Sequence, residues 1–193
     1  MNAQPQKIIS VTPEEYLEFE RNSGIRHEYF EGEIFAMVGA RKNHNLINTN
    51  IIMELGSKLK ASGSFCKVFS NDMRVKVQEN GKYTYPDIAV ACNKIDFEDD
   101  KLDTLLNPVV IFEILSNSTE AYDRGIKFQH YQLIPSLQEY ILVSQYNSIA
   151  EVYSRGKDGS WQYTAKTEMA QVIKIKSINC ELSLSDIYWD IKF

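Results

Sequence analysis

Two short apolar runs each carry one acidic residue: Asp87 in Tyr85-Pro86-Asp87-Ile88-Ala89-Val90-Ala91-Cys92, and Glu113 in Pro108-Val109-Val110-Ile111-Phe112-Glu113-Ile114-Leu115-Ser116. Runs of this length and composition read as strands of a buried sheet. A charge in such a strand is costly to desolvate unless it is paired or binds a metal. The fold must therefore give both carboxylates a partner, and each is a candidate for chemistry. Side chains alternate along a strand, so Asp87 shares a face with Ala89 and Ala91, and Glu113 shares one with Ile111 and Leu115. If the strands are neighbours, both carboxylates project from one surface, beside the space the small alanines leave. Oxygen ligands of this kind suit Mg²⁺ or Mn²⁺ and not Zn²⁺.

At 193 residues the chain is most simply one domain, 1–193, large enough to bury a core without staples. Apolar residues at 44% and charged residues at 24% are ordinary for a globular protein. No apolar run approaches the roughly 20 residues of a membrane span, so no membrane partner is expected. Met1 to Lys7 lacks the apolar stretch of a secretory signal, and Cys66, Cys92 and Cys180 make an odd number without paired spacing. The expected compartment is cytoplasmic, with reduced thiols. A net charge of −5 excludes coating nucleic acid by bulk electrostatics but leaves room for a local basic cleft. Lys58, Lys60, Lys67, Arg74 and Lys76 form one basic stretch and Arg124 with Lys127 a smaller one; at this density a solvated face is expected.

Thr12-Pro13-Glu14-Glu15 opens a short helix, with Thr as N-cap, Pro at the first helical position and Glu three residues after the cap. Arg26 to Val38 alternates and turns at Glu31-Gly32, a hairpin. From Asn43 to Leu59, Leu46, Ile47, Ile51, Ile52, Leu55 and Leu59 recur at helical spacing, predicting a long helix that ends near Ser62-Gly63. Strands are predicted from Cys66 to Val77, broken by Glu79-Asn80-Gly81-Lys82, then Thr84 to Cys92 and Val109 to Leu115. The acidic segment Asn93 to Asn107 matches no calcium-loop spacing and reads as a solvated loop. A second helix is predicted from Thr119 to about Leu133, then a strand from Glu139 to Ser144 and further strands in the remainder. The order is that of an α+β fold, a mixed sheet packed on two main helices.

The second helix supplies a cation. Arg124, Lys127 and Tyr131 fall on one face at helical spacing, and Lys127 could orient or deprotonate a water, or neutralise charge on a phosphate. The plainer reading is an exposed lysine paired with Asp123.

Pro86-Asp87, then Glu113-Ile114-Leu115-Ser116, then Asp123-Arg124-Gly125-x-Lys127-x-x-x-Tyr131 with Glu139-Tyr140 beyond, resembles the Uma-two family of endonucleases in the PD-(D/E)XK superfamily. The resemblance runs from about Thr12 to the C-terminus and includes Arg26-His27-Glu28-Tyr29-x-x-Gly32-Glu33-Ile34 and His44. It implies a restriction-endonuclease-like core, a mixed β-sheet flanked by helices, with an additional N-terminal hairpin and C-terminal strands. It further implies a metal-activated water attacking a DNA phosphodiester, with Asp87, Glu113 and the carbonyl of Ile114 as ligands of Mg²⁺ or Mn²⁺. The superfamily pattern places a lysine two residues after the glutamate, where this chain has Leu115. The family's lysine comes from the following helix, a place Lys127 fills.

Glu28 could reach the metal directly or through water, as early acidic residues do in this superfamily, or it could pair with Arg26 in the hairpin. His44 could line a substrate cleft, or be a helix-end histidine satisfied by backbone or solvent. Ser116 and Ser118 lack a base at fixed spacing and read as a turn and helix N-cap. Tyr153, Trp161, Tyr163, Tyr188 and Trp189 read as core or cross-strand aromatics. A homodimer is expected only because two-fold oligomers are common. The alternatives to a DNA nuclease are a non-catalytic interaction protein on the nuclease fold and a metal-dependent hydrolase of another phosphorylated substrate.

Overall fold

The computed structural model describes residues 10–37 and 39–193. The expectations resting on Met1 to Lys7, and the Val38 end of the hairpin, lie outside the described residues. Helix α1 (Pro13–Asn22) has the predicted capping box: Glu15 N–H donates to Thr12 Oγ1 at 3.2 Å, and Thr12 N–H donates to Glu15 Oε2 at 2.8 Å. The hairpin follows as β1 (His27–Phe30) and β2 (Glu33–Ala36), and α2 spans Lys42–Ala61.

Cys66 to Val77 does not form one strand. It divides into β3 (Lys67–Ser70) and β4 (Arg74–Val77), which enter different sheets. The next segment divides in the same way into β5 (Lys82–Thr84) and β6 (Ile88–Ala91). Pro86 has no N–H to give to a ladder, so the strand breaks before it. Asp87 therefore lies immediately ahead of β6 instead of within it. Lys82, read from sequence as part of the break, pairs opposite Val77 as the first residue of β5. The acidic segment holds the short strand β7 (Thr104–Leu105), parallel to β4, and Arg21 ties Asp99 and Asp103 to α1. It is anchored where free solvation was expected.

Strands β8 (Val110–Leu115), β9 (Glu139–Ser144), β10 (Ala150–Arg155) and β11 (Trp161–Lys166) complete a six-stranded sheet in the order β11-β10-β9-β8-β6-β3. The β8–β9 pair is parallel and its other pairs are antiparallel. A five-stranded sheet runs β2-β1-β5-β4-β7, and β12 (Val172–Ile175) pairs with β13 (Cys180–Ser183). The end of the chain, expected as strand, includes the short helix α5 (Leu184–Ile187).

Alternation in β6 and β8 divides the core between the faces of the six-stranded sheet. Ile88, Val90, Phe112 and Ile114 pack with Ile47, Ile51, Leu55 and Leu59 of α2 and with β12, β13 and α5. Ala89, Ala91, Ile111 and Leu115 face the other way, against Val75, Val77, Phe128, Tyr131 and Tyr140. Phe112, Ile47, Ile51 and Leu55 are fully buried, each worth roughly 1.5–3 kcal/mol of transfer free energy.

The second predicted helix is not a regular one. Helix α3 (Glu120–Tyr122) passes into a π-helical turn, Asp123–Lys127, and then into α4 (Phe128–Tyr131). The widened turn separates Arg124 from Lys127: Arg124 is half-buried against Glu120 and Glu151, while Lys127 and Tyr131 point into the core. The expected common face of Arg124, Lys127 and Tyr131 thus holds only for the last two. Two thiols also depart from expectation. Cys66 and Cys92, at the opposed ends of β3 and β6, are joined as a disulfide, leaving Cys180 free and buried. Neither neighbours the other in sequence, so spacing gave no sign of the pairing.

Candidate functional site

The antiparallel register sets Ile88 of β6 opposite Phe112 of β8. Continued by one residue, it puts Asp87 opposite Glu113. Past the end of β6 the N–H of Ile114 has no strand partner on that side, and the Asp87 side chain supplies one: Oδ2 accepts it at 2.7 Å. A strand residue's N–H and C=O face the same neighbour, so the Ile114 carbonyl looks toward the same open edge. Both carboxylates and Ile114 line a cleft of roughly 730 Å³.

Lys127 enters from the π-helical turn. Its Nζ is 2.8 Å from Glu113 Oε1, 3.5 Å from Glu28 Oε1 and 3.6 Å from Asp123 Oδ1. It is 5% exposed, so the reading of an exposed lysine fails although the Asp123 contact is present. Tyr131 donates to Glu113 Oε1 at 3.0 Å. Burial drives the Glu113 carboxyl well above the usual carboxylate range, with Lys127 pulling against it. Burial also opposes the charge on Lys127, but Glu113, Tyr131, Glu28 and Asp123 outweigh it and hold an ammonium.

Glu28 arrives from β1, in the second sheet. It does not pair with Arg26, which goes to Asp72; Thr84 Oγ1 donates to its Oε1, and Tyr122 donates to its Oε2 at 3.0 Å. Burial disfavours its charge, yet Lys127, Thr84, Lys82 and Tyr122 together hold its carboxyl below the ordinary value. His44, in the first turn of α2, places Nε2 3.2 Å from Asp87 Oδ2. It is therefore not satisfied by backbone or solvent alone, and its Nδ1 is buried without a partner. Ser116 and Ser118 form a hydroxyl chain with Thr119 at the entrance to α3; Thr119, not a serine, is its N-cap residue.

All the sequence-predicted residues, Asp87, Glu113, Ile114, Lys127, Glu28, His44 and Tyr131, thus belong to one contiguous cluster. Sequence reading missed Lys82, Thr84 and Tyr122 as parts of it, and saw Asp123 only as a partner for Lys127. Lys82 and Thr84 are two residues apart on β5, a spacing that puts them on one face. That signal was masked by the Asn80-Gly81 turn. The basic stretch is not one solvated face: Lys60 and Lys67 are exposed, but Arg74 is buried between Tyr85, Thr104 and Asp103, Lys76 pairs with Glu98, and Lys58 pairs with Glu54 and Asp186. Tyr153 and Trp161 pack on Phe128, Tyr163 pairs across the strands with Tyr153, and Tyr188 is buried, as cross-strand or core aromatics should be; Trp189 is exposed.

The residues present suit a hard divalent cation. Asp87, Glu113, Glu28 and Asp123 set four carboxylates against the two ammonium groups of Lys127 and Lys82, leaving two negative charges when all are ionised. The carboxylates and the Ile114 carbonyl offer oxygen donors, with the His44 imidazole beside Asp87 and no cysteine in the lining.

A six-stranded mixed sheet with α2 on one face, and a carboxylate pair at the open end of β6 and β8, defines the α+β restriction-endonuclease-like class. A solved structure titled "putative nuclease belonging to DUF820", from Anabaena variabilis, superposes with a TM-score of 0.76 at 20% identity, covering 92% of this chain and 97% of that one. The chain belongs to the Uma2 family, whose model, described as "Putative restriction endonuclease", matches residues 13–185. Two uncharacterized proteins of Synechocystis sp. are similar in sequence. One, slr1290, is 34% identical over 95% of this chain and 94% of its own length; the other, sll1609, is 34% identical over 80% and 86%. Among the described residues no helix is long and apolar enough to cross a membrane.

Proposed function

We propose that residues 1–193 act as a single nuclease domain that hydrolyses DNA phosphodiester bonds with Mg²⁺ or Mn²⁺. One observation carries this reading: Asp87 and Glu113 stand opposite each other at a cleft, with Lys127 Nζ 2.8 Å from Glu113. Membership of a family described as "Putative restriction endonuclease", and a fold shared with a "putative nuclease", support it.

Asp87, Glu113 and the Ile114 carbonyl would hold the ion. When bound, it would supply the Lewis acidity that makes water a nucleophile near neutral pH and offsets charge on the phosphate. Asp87 is oriented for this by the Ile114 N–H and by His44. Lys127, set among three carboxylates, would neutralise charge building on the phosphoryl oxygens and orient the attacking water. Tyr131 holds Glu113 in place. Incubation of supercoiled plasmid and single-stranded DNA with the purified protein and Mg²⁺ or Mn²⁺ tests the reading. Cleavage that Asp87→Ala abolishes in a folded variant supports it; no cleavage of DNA or RNA with either ion sinks it.

One observation favours a second reading, a nuclease-fold protein retained for interaction. That observation is Leu115, which stands where the superfamily pattern has its lysine. Calorimetric titration with Mn²⁺ separates the two, since only the nuclease reading requires a site.

A further inference from the structure

We propose that Lys82, acting through Tyr122, is a positioning residue that restrains Glu28 and so keeps the Lys127 ammonium on Glu113. The inference deepens the nuclease reading and rests on it for the catalytic consequence alone.

Lys82 is 4% exposed, an uncommon place for a lysine. The β1–β5 register, Tyr29 opposite Tyr83, puts Glu28 opposite Thr84 and Phe30 opposite Lys82 on one face of the second sheet. From there the Lys82 Nζ donates to the Tyr122 hydroxyl and lies 3.9 Å from Glu28 Oε2. It sits over the rings of Phe30 and Tyr122, 5.4 and 4.8 Å from their centroids, which replaces part of its lost hydration. The Tyr122 hydroxyl in turn donates a hydrogen bond to Glu28 Oε2.

The carboxylate of Glu28 is thereby held at both ends. Oε2 has Tyr122 and Lys82, and Oε1 has Thr84. What remains for Lys127 is the 3.5 Å approach to Oε1, longer than its 2.8 Å contact with Glu113. Glu28 and Glu113 compete for one ammonium, and the Lys82–Tyr122 pair satisfies Glu28 well enough that Glu113 wins. Without the pair, Glu28 is left short of donors in a buried setting, and Lys127 is the nearest cation able to answer it. The ammonium then moves off Glu113, away from the cleft edge where a phosphate would arrive. Replacing Lys82 alone by an apolar side chain would remove one partner of a buried charge pair and leave the Glu28 carboxylate less compensated. Its charge matters here because of what it does to Glu28.

The test uses the full chain with ¹⁵N,¹³C-labelled lysine, following the Lys127 side-chain ammonium resonance, assigned by its loss in Lys127→Met. Tyr122→Phe and Lys82→Met are expected to shift that resonance, with Lys82→Arg restoring it toward the wild-type position. In the plasmid assay, kcat is expected to fall about ten- to a hundredfold in both variants with KM changed less than about twofold, the mark of lost orientation. A Lys127 resonance unmoved in Tyr122→Phe overturns the proposal, and that variant decides the matter if Lys82→Met fails to fold. If the wild type cleaves nothing, the nuclease reading fails by itself, while the resonance comparison still decides whether the clamp exists.

Discussion

The Asp87 carboxylate accepts the backbone N–H of Ile114 at 2.7 Å, supplying from a side chain the hydrogen bond that β6, which begins at Ile88, does not reach to provide. The carboxylate is thus fixed to the strand that carries Glu113. Asp87→Asn keeps an oxygen acceptor for that N–H but removes the charge. The fold should persist, with far-UV circular dichroism unchanged, and calorimetric titration with Mn²⁺ should show affinity falling at least about tenfold, as loss of one anionic ligand implies.

Lys127→Met removes the ammonium from among three carboxylates. Breaking a buried ion pair from one side costs about 3–5 kcal/mol, so urea unfolding should show a loss of that order. Cleavage of plasmid DNA should fall by about 10²–10⁴ even where the variant is fully folded. A variant that retains wild-type turnover would remove Lys127 from the proposed chemistry.

Asp103 ties the acidic segment to α1. The hydrogen bond from Arg21 lowers its carboxyl to about 2 from the ordinary 3.8, against the opposing effect of burial. Because the folded value is the lower one, the stabilisation is complete above the unfolded value and drains away as pH falls from about 4 to about 2. Asp103→Asn should flatten that part of the pH dependence, measured as urea midpoints across the acid range; an unchanged slope would contradict it.

Thr12→Ala removes the side-chain half of the α1 capping box and should cost about 1 kcal/mol. Tyr16 and Leu17 of that helix pack on Tyr29 and Tyr83, so differential scanning calorimetry should register the loss as a lower global Tm, and not merely as fraying of the N-terminus.

The Cys66–Cys92 bridge closes a loop with a sequence separation of 26, worth roughly 3 kcal/mol by chain entropy. Thiol titration of non-reduced, denatured protein should find one free thiol, Cys180. Three would mean that the purified protein lacks the bridge. Reduction should lower the urea midpoint by the corresponding amount.

Local chemistry made much of this protein legible from its residues. The Thr12 cap, the Glu31-Gly32 turn and the helical repeat of Ile47, Ile51, Leu55 and Leu59 each depend on neighbours a few positions away, and each appears in the structure. The division of β6 and β8 between two core faces follows from strand alternation alone. The anomaly of Asp87 and Glu113 was visible because a charge in an apolar strand has no local remedy.

Tertiary structure alone decided what that remedy is. Glu28, Thr84 and Lys82 come from a second sheet whose pairing with β1 and β5 spans more than fifty residues, a relation with no local period to betray it. The split of 66–77 between sheets, the pairing of Cys66 with Cys92, and the π-helical turn that swings Lys127 inward and Arg124 outward are likewise non-local. The chain's own pattern determined that two carboxylates needed a partner. Only packing, which weighs burial against every charge brought within reach, set Lys127 2.8 Å from Glu113 and placed Glu28 among Lys127, Lys82, Thr84 and Tyr122.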